Sequence, residues 1–135
     1  MKKKILFLVG IVTFFSCQNE KPEKNKIVGR WEEKKQGTII ELKNDNILVF
    51  KNIPTDLNLF RDIRTRKHIS GEGTWDLEFR NGRWEVAIFL KKISGIEEQY
   101  ILPVNIANNF GDIGLFIWKG DPDSGNRYSF EKVPD

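Results

Sequence analysis

The chain has 135 residues, enough for one domain, with 22 lysines and arginines against 19 aspartates and glutamates. Residues 1–16 contain three of the lysines and no acid, so the remainder carries 19 charges of each sign. No basic excess is left there, and we expect no nucleic-acid partner. With one cysteine, Cys17, and one histidine, His68, the chain has no intramolecular disulfide, and neither a metal nor a cofactor site is expected.

The first residues have the pattern of a secretory signal. Lys2, Lys3 and Lys4 precede an uncharged apolar run from Ile5 to Phe15, which is too short to span a bilayer as a helix. The sequence therefore predicts a signal helix over residues 1–16, followed by Cys17.

The residues around Cys17 resemble the lipobox of bacterial lipoproteins, because the small residue Ser16 directly precedes the cysteine. Phe14 and Phe15 depart from the usual Leu and small residue of that motif. The resemblance implies a diacylglyceryl group and an acyl chain such as palmitate on Cys17. It also implies export to the cell envelope and anchoring to a membrane, with the outer membrane expected. The alternative is an ordinary signal-region cysteine with cleavage elsewhere.

A polar segment separates Cys17 from the first apolar residues. Residues 18–26 read QNEKPEKNK and have no apolar side chain to pack. We predict a flexible tether over residues 17–26 and one β domain over residues 27–135.

The β domain begins with strand and turn patterns. Residues 38–42 and 47–51 flank the turn formers of residues 43–46, which predicts a hairpin. Residues 74–80 and 84–90 alternate between apolar and polar side chains around Asn81-Gly82, a pair suited to a type I′ turn. One face of this second hairpin is expected to line the core, with Trp75, Leu77, Phe79, Trp84, Val86, Ile88 and Leu90.

Further strands are predicted over residues 98–104, 114–119 and 127–132. Pro103 favours a strand edge or end, because proline cannot donate a ladder hydrogen bond. About eight short strands at this spacing predict an all-β domain, either a small antiparallel β-barrel or a tight sandwich.

The segment from Thr55 to Ser70 is interpreted as a loop or a short helix capped by Asp56. It holds a basic cluster that would suit an anionic headgroup, a polyanionic glycan or an acidic protein. The alternative is a solvated charged loop. The candidate contact residues are Arg61, Arg64, Arg66 and Lys67.

The start of the β domain, Gly29-Arg30-Trp31, is similar to the Gly-x-Trp motif that opens the first strand of lipocalin-like barrels. In that family the tryptophan closes one end of the barrel, under a basic residue from the last strand. The resemblance implies that Trp31 and Arg127 form such a pair, and that a hydrophobic ligand binds inside the barrel.

Chemistry-bearing motifs are sparse, and we expect no catalytic residue and no enzyme. Asp121 and Asp123 occur in a calcium-like run, but the EF-hand spacing fails, which favours a β-turn. Whether Asp112 joins them in a weaker cation site stays open.

The leading hypothesis is a membrane-anchored protein that binds a small hydrophobic ligand. The alternative is a protein-interaction module, such as an immunity protein, an inhibitor or an accessory protein of an envelope complex.

Overall fold

The computed structural model describes residues 20–56 and 67–134, apart from the side chain of Asn109. Within these residues, one short α-helix and eight strands follow one another, with a 3₁₀ turn between the last two strands. They are α1 (Lys24–Ile27), β1 (Gly29–Glu33), β2 (Thr38–Leu42), β3 (Ile47–Pro54), β4 (His68–Arg80), β5 (Arg83–Ile93), β6 (Tyr100–Asn109), β7 (Asp112–Trp118) and β8 (Arg127–Lys132).

The eight strands form one closed antiparallel barrel in the order β1 to β8. Each strand pairs with its neighbours in sequence, and β8 returns to β1, with Trp31 opposite Lys132 and Glu32 opposite Glu131. The all-β prediction is confirmed, and of its two architectures the barrel is the one that forms. Closure leaves no free sheet edge at the ends of the strand order.

The predicted hairpins form where the turn chemistry favours them. Asn81 and Gly82 have φ values of 53° and 77°, as a type I′ turn requires. In the earlier hairpin Asn46 has a φ of 66°, a conformation that asparagine tolerates better than most residues. These turns connect adjacent strands directly, so local sequence sets the strand order.

The core is the barrel interior, which alternate residues of all eight strands fill. Trp31, Phe50, Trp75 and Tyr128 are the largest side chains there and are almost completely buried. They occupy much of the space that an eight-stranded barrel encloses. Around them pack smaller apolar residues, including Ile40, Leu42, Leu48, Ile53, Ile69, Val86, Ile88, Leu90, Leu102, Val104, Leu115, Ile117 and Phe130.

Two glycines allow β4 to approach β5 closely at a β-bulge between Glu72 and Gly73. A Cβ added to Gly73 would lie 1.7 Å from the carbonyl oxygen of Phe89, and one added to Gly71 would lie 1.8 Å from that of Lys92. Only glycine fits at these positions without moving the neighbouring strand.

Pro103 lies within β6 rather than at its end. The ladder between β6 and β7 runs from Asn105 to Asn109, whereas Pro103 pairs with Ala87 of β5. At Pro103, β6 is therefore paired with β5 alone, so the missing N–H of proline costs no hydrogen bond to β7.

The strand directions give the barrel two different ends. The near end is the end that holds α1 and the turns β2–β3 (residues 43–46), β4–β5 (81–82) and β6–β7 (110–111). The far end holds the connections β1–β2 (34–37), β3–β4, β5–β6 (94–99) and β7–β8 (119–126). The chain reaches the barrel at the near end.

The end of the polar segment contacts the barrel. Lys24 begins α1, and its Nζ donates to the carbonyl oxygen of Asn44 at 2.8 Å and to Oδ1 of Asn46 at 2.7 Å. Lys132 Nζ donates to the carbonyl oxygen of Lys26 at 3.2 Å. These contacts attach the end of the polar segment to the barrel.

Candidate functional site

Two tryptophans and α1 close one half of the near end. Trp31 is completely buried, and its Nε1 donates to the carbonyl oxygen of Ile27 at 2.9 Å. Trp75 is also buried, and its Nε1 donates to the carbonyl oxygen of Lys43 at 2.9 Å. Each indole N–H is thus hydrogen-bonded to a backbone carbonyl at the barrel rim, and the two buried rings close this side of the barrel.

The other half of the near end is open, because the inward faces of β4 to β7 continue past the buried core. Along β4, Trp75 is buried, Leu77 is half-buried and Phe79 is 51% exposed. Ile106 on β6 and Ile113 on β7 are half-buried in the same way. The predicted core face of the second hairpin is confirmed for the buried Trp75, Val86, Ile88 and Leu90, whereas Phe79 and Trp84 lie beyond the packed interior.

A cleft of about 480 Å³ occupies this open half. Residues 20–23, which we call the strap, form one wall, and the β4–β5 and β6–β7 hairpins form the others. The volume falls in the range of small-molecule sites, roughly 300–1,000 Å³. Its lining residues are Glu20, Lys21, Pro22, Glu23, Lys26, Arg83, Trp84, Ile106, Asn108, Gly111 and Ile113.

Trp84 is the central aromatic residue of the cleft. Its ring centroid is 5.4 Å from that of Phe79, with the planes tilted by 56°. Lys21 Nζ lies 5.4 Å from the Trp84 ring centroid, within the range of a cation–π contact. The same ring therefore contacts the strap and forms part of the apolar wall.

The cleft combines an apolar wall with a charged rim. Trp84, Ile106 and Ile113 supply the wall. The rim carries exposed charges of both signs, from Glu20, Lys21, Glu23, Lys26 and Arg83. The described lining residues include no histidine, cysteine, serine or threonine. Such a surface can hold an apolar body by burial and a polar group by charge.

The cation that lies on Trp31 is Lys132 and not Arg127, which corrects the expected pair. Lys132 Nζ is 5.9 Å from the Trp31 ring centroid. Arg127 Cζ lies instead over the outer-wall rings of Phe116 and Trp118, at 4.1 and 4.7 Å. Arg127 is five residues before Lys132 on β8, so it is roughly 17 Å away along the strand and faces the opposite side.

The far end contains a buried polar group. The hydroxyls of Tyr128 and Thr38 share a hydrogen bond, and Thr38 Oγ1 donates to the carbonyl oxygen of Asn52 at 2.7 Å. The Glu33 carboxylate, also buried, accepts from the backbone N–H of Lys35 and Gln36 at 3.0 and 2.8 Å. Burial raises the pKa of Tyr128, which keeps its phenol protonated.

Several residues singled out from the sequence lie outside the described part of the chain. They are Cys17 and three members of the basic cluster, Arg61, Arg64 and Arg66. The fourth member, Lys67, is exposed just before β4 at the far end.

The three aspartates considered for a cation are not brought together. Asp112 begins β7 at the near end, whereas Asp121 and Asp123 follow β7 at the far end. Asp121 Oδ1 accepts the backbone N–H of Asp123 at 3.0 Å and caps the 3₁₀ turn Pro122–Ser124. Within residues 20–56 and 67–134, no group of three histidine, cysteine or acidic side chains is placed to hold a metal ion.

Sequence reasoning did not find the cleft, because its strap is polar and Trp84 belongs to a strand with an ordinary core pattern. The one available signal was Pro22 in the polar segment, since proline stiffens a chain that crosses a surface. Among the described residues, no helix is long and apolar enough to cross a membrane.

No protein-family model matches the sequence, no curated protein matches it, and no solved structure matches it at a significant level. The function therefore has to be inferred from the geometry of the barrel and its cleft.

Proposed function

We propose that the protein is a non-enzymatic, membrane-anchored binding protein that holds a small hydrophobic ligand in the near-end cleft. A lipid on Cys17, the cysteine that follows the signal-like segment, provides the anchor. The resemblance implies a ligand site at the centre of the barrel, whereas the proposed site is the cleft at the near end.

One observation carries the proposal. The inward apolar side chains of Trp84, Ile106 and Ile113 lie past the packed core, and they border an open volume of about 480 Å³ whose other side is the polar strap. Burying an apolar ligand of this size against Trp84, Ile106 and Ile113 is favourable by roughly 25 cal/mol for each Å² removed from water. In the middle of the barrel, by contrast, the large side chains of Trp31, Phe50 and Tyr128 point inward and are almost completely buried.

Fluorescence titration with N-phenyl-1-naphthylamine, an uncharged apolar probe, tests the proposal. We expect saturable binding of one probe per protein. Its sulfonated relative, 1-anilinonaphthalene-8-sulfonate, has a similar aromatic body and shows whether the cations of the rim contribute despite the carboxylates of Glu20 and Glu23. Tighter binding of the sulfonate would assign Lys21 and Arg83 a role in holding an anionic group.

Two substitutions on β6 give a matched comparison. Ile106 faces the cleft, whereas Ile101 is 56% exposed on the strand that also carries Ile106. Ile106→Gln should weaken probe binding about tenfold or more, because a polar group replaces apolar contact surface. Ile101→Gln should leave the affinity unchanged. Equal affinities for the two variants, with both folded by circular dichroism, would contradict a site in the cleft.

The anchoring part of the proposal is tested by the intact mass of the protein extracted from cells that express the full-length gene. Processing should remove residues 1–16 and add the mass of a diacylglyceryl group and an acyl chain. A Cys17→Ser variant should remain unprocessed. A native chain of unmodified mass would contradict lipid anchoring.

A second candidate is the protein-interaction role, which an apolar area on the outer wall favours. Phe89 and Ile101 are paired across β5 and β6. Ile101 is 56% exposed, and Phe89 and the neighbouring Pro103 are half-buried. Ile101→Lys should then abolish co-purification of a stoichiometric protein partner while leaving probe binding intact. A partner that is retained by this variant would argue against this face.

A further inference from the structure

Two hairpin tips at the near end expose aromatic side chains. Phe79, just before the β4–β5 turn, is 51% exposed, and Phe110, in the β6–β7 turn, is fully exposed. Single exposed apolar residues are ordinary on protein surfaces. These two, however, flank the same cleft, with the half-buried ring of Trp84 against Phe79.

Phe110 is unusual for its position as well as its exposure. Its φ is 54°, in the left-handed region where glycine and asparagine are the residues that fit without cost. The turn thus places a large apolar ring at the outermost point of the hairpin, where folding gains nothing from it. A role outside the folded chain explains why an aromatic side chain stands there.

The chain arrives at this end of the barrel. Glu20 and Lys21 line the cleft, and Lys21 Nζ contacts the Trp84 ring. Cys17 is three residues before Glu20, a separation of at most about 10 Å even when fully extended. A lipid on Cys17 would therefore hold the near end, and not the far end, against the membrane.

The charges near the two tips suit a lipid surface. Lys21, Arg80 and Arg83 are exposed at this end of the barrel, and Lys21 Nζ lies over the Trp84 ring, while Glu20 and Glu23 add two exposed carboxylates to the cleft lining. Arg80 bridges Glu78 at 2.9 Å and Glu85 at 3.3 Å on the outer wall. Long cationic side chains beside aromatic rings are typical of the membrane interface, where the rings enter the headgroup region and the charges meet phosphates.

We propose that the near end docks on the surface of a lipid bilayer, with Phe79 and Phe110 inserted to roughly the depth of an interfacial contact, about 5–10 Å. This inference rests on the proposed anchor at Cys17. It identifies the bilayer as the surface that the cleft faces, so that a membrane lipid reaches the cleft without crossing water.

The test places a tryptophan at each end of the barrel. Phe110→Trp reports on the near end, and Gln36→Trp, in the exposed β1–β2 turn, is the matched control at the far end. Both full-length proteins are purified in detergent and reconstituted into vesicles of phosphatidylethanolamine and phosphatidylglycerol. Half of the vesicle preparations carry bromine atoms in the upper acyl chains, which quench nearby indoles.

The added emission is the tryptophan fluorescence of each variant minus that of the unsubstituted chain, measured in the same vesicles. We expect bromolipid to remove most of the added emission of Phe110→Trp and to leave that of Gln36→Trp unchanged. Equal quenching of the two variants, or none, would overturn the docking. Blue-shifted but unquenched Phe110→Trp emission would assign the tips to a protein partner or a second copy and would overturn it too.

The intact mass of the same samples separates the two proposals. A lipidated chain without quenching at position 110 keeps the anchor and rejects the docking. An unlipidated chain with quenching rejects the anchor and keeps the docking, since the tips then contact the bilayer by another attachment.

Discussion

Trp31 is the side chain on which closure of the near end depends most, and Trp31→Phe tests this. The substitution removes the Nε1 donor that the carbonyl oxygen of Ile27 accepts at 2.9 Å. A buried carbonyl left without its donor costs about 1–3 kcal/mol. The missing ring atoms leave a void in a site that is 0% exposed, which adds about 1 kcal/mol. The free energy of unfolding should therefore fall by about 2–4 kcal/mol.

Urea unfolding followed by far-ultraviolet circular dichroism measures the loss without relying on tryptophan emission. Trp118→Phe is the matched control, because Trp118 lies on the outer wall with its ring under Arg127 and edge-on to Phe116. It should cost less than about 1 kcal/mol. A Trp31→Phe loss no larger than the Trp118→Phe loss would refute the role of the indole in sealing the near end.

Two further predictions concern the far end and the β-bulge. Because burial raises the pKa of Tyr128, the unfolded phenol loses its proton first. Stability should fall as the pH rises above about 10, by up to about 1.4 kcal/mol per pH unit. Urea unfolding between about pH 9 and about pH 11 should show a shallower fall for Tyr128→Phe, and an identical slope would contradict this cause. Gly73→Ala should lower the free energy of unfolding by about 1–3 kcal/mol in the same assay. Gly114→Ala is the control and should lower it little, because its new Cβ would lie 3.9 Å from Ala107 Cβ. Equal losses would contradict the close approach of β4 to β5.

The hairpins could be predicted from the sequence because their information is local. Asn81-Gly82 adopts the two positive φ values that it favours, and the alternation on each side assigns Trp75, Val86 and Ile88 to the interior. Turn chemistry and period-two patterning act over a few residues, so both are legible without knowledge of the fold.

Closure and the positions of the two cationic side chains could not be predicted, because they depend on register between distant strands. The pairing of Trp31 with Lys132 joins residues from opposite ends of the domain. A shift of one residue in that register would turn the other face of β8 inward. The predicted partner of Trp31, Arg127, is a cationic residue of β8, as Lys132 is, but it lies on the outer face of that strand.

The cleft could not be predicted for a related reason. Alternation assigns Phe79 and Trp84 to the inward face, but it does not say how far the packed interior extends along a strand. The strap has no apolar residue other than Pro22, and it is held by Lys21 on Trp84 and by Lys24 on the β2–β3 turn. Such contacts between polar side chains and a distant surface leave no periodic signal.

Native mass spectrometry of the full-length protein, extracted gently in detergent from its own cells, tests the central claim most directly. The unsubstituted protein should carry lipid on Cys17 together with a small hydrophobic molecule that is released on unfolding. Ile101→Gln should retain that molecule and Ile106→Gln should lose most of it. A protein with no bound molecule, or one that both variants retain equally, would contradict a ligand site in the near-end cleft.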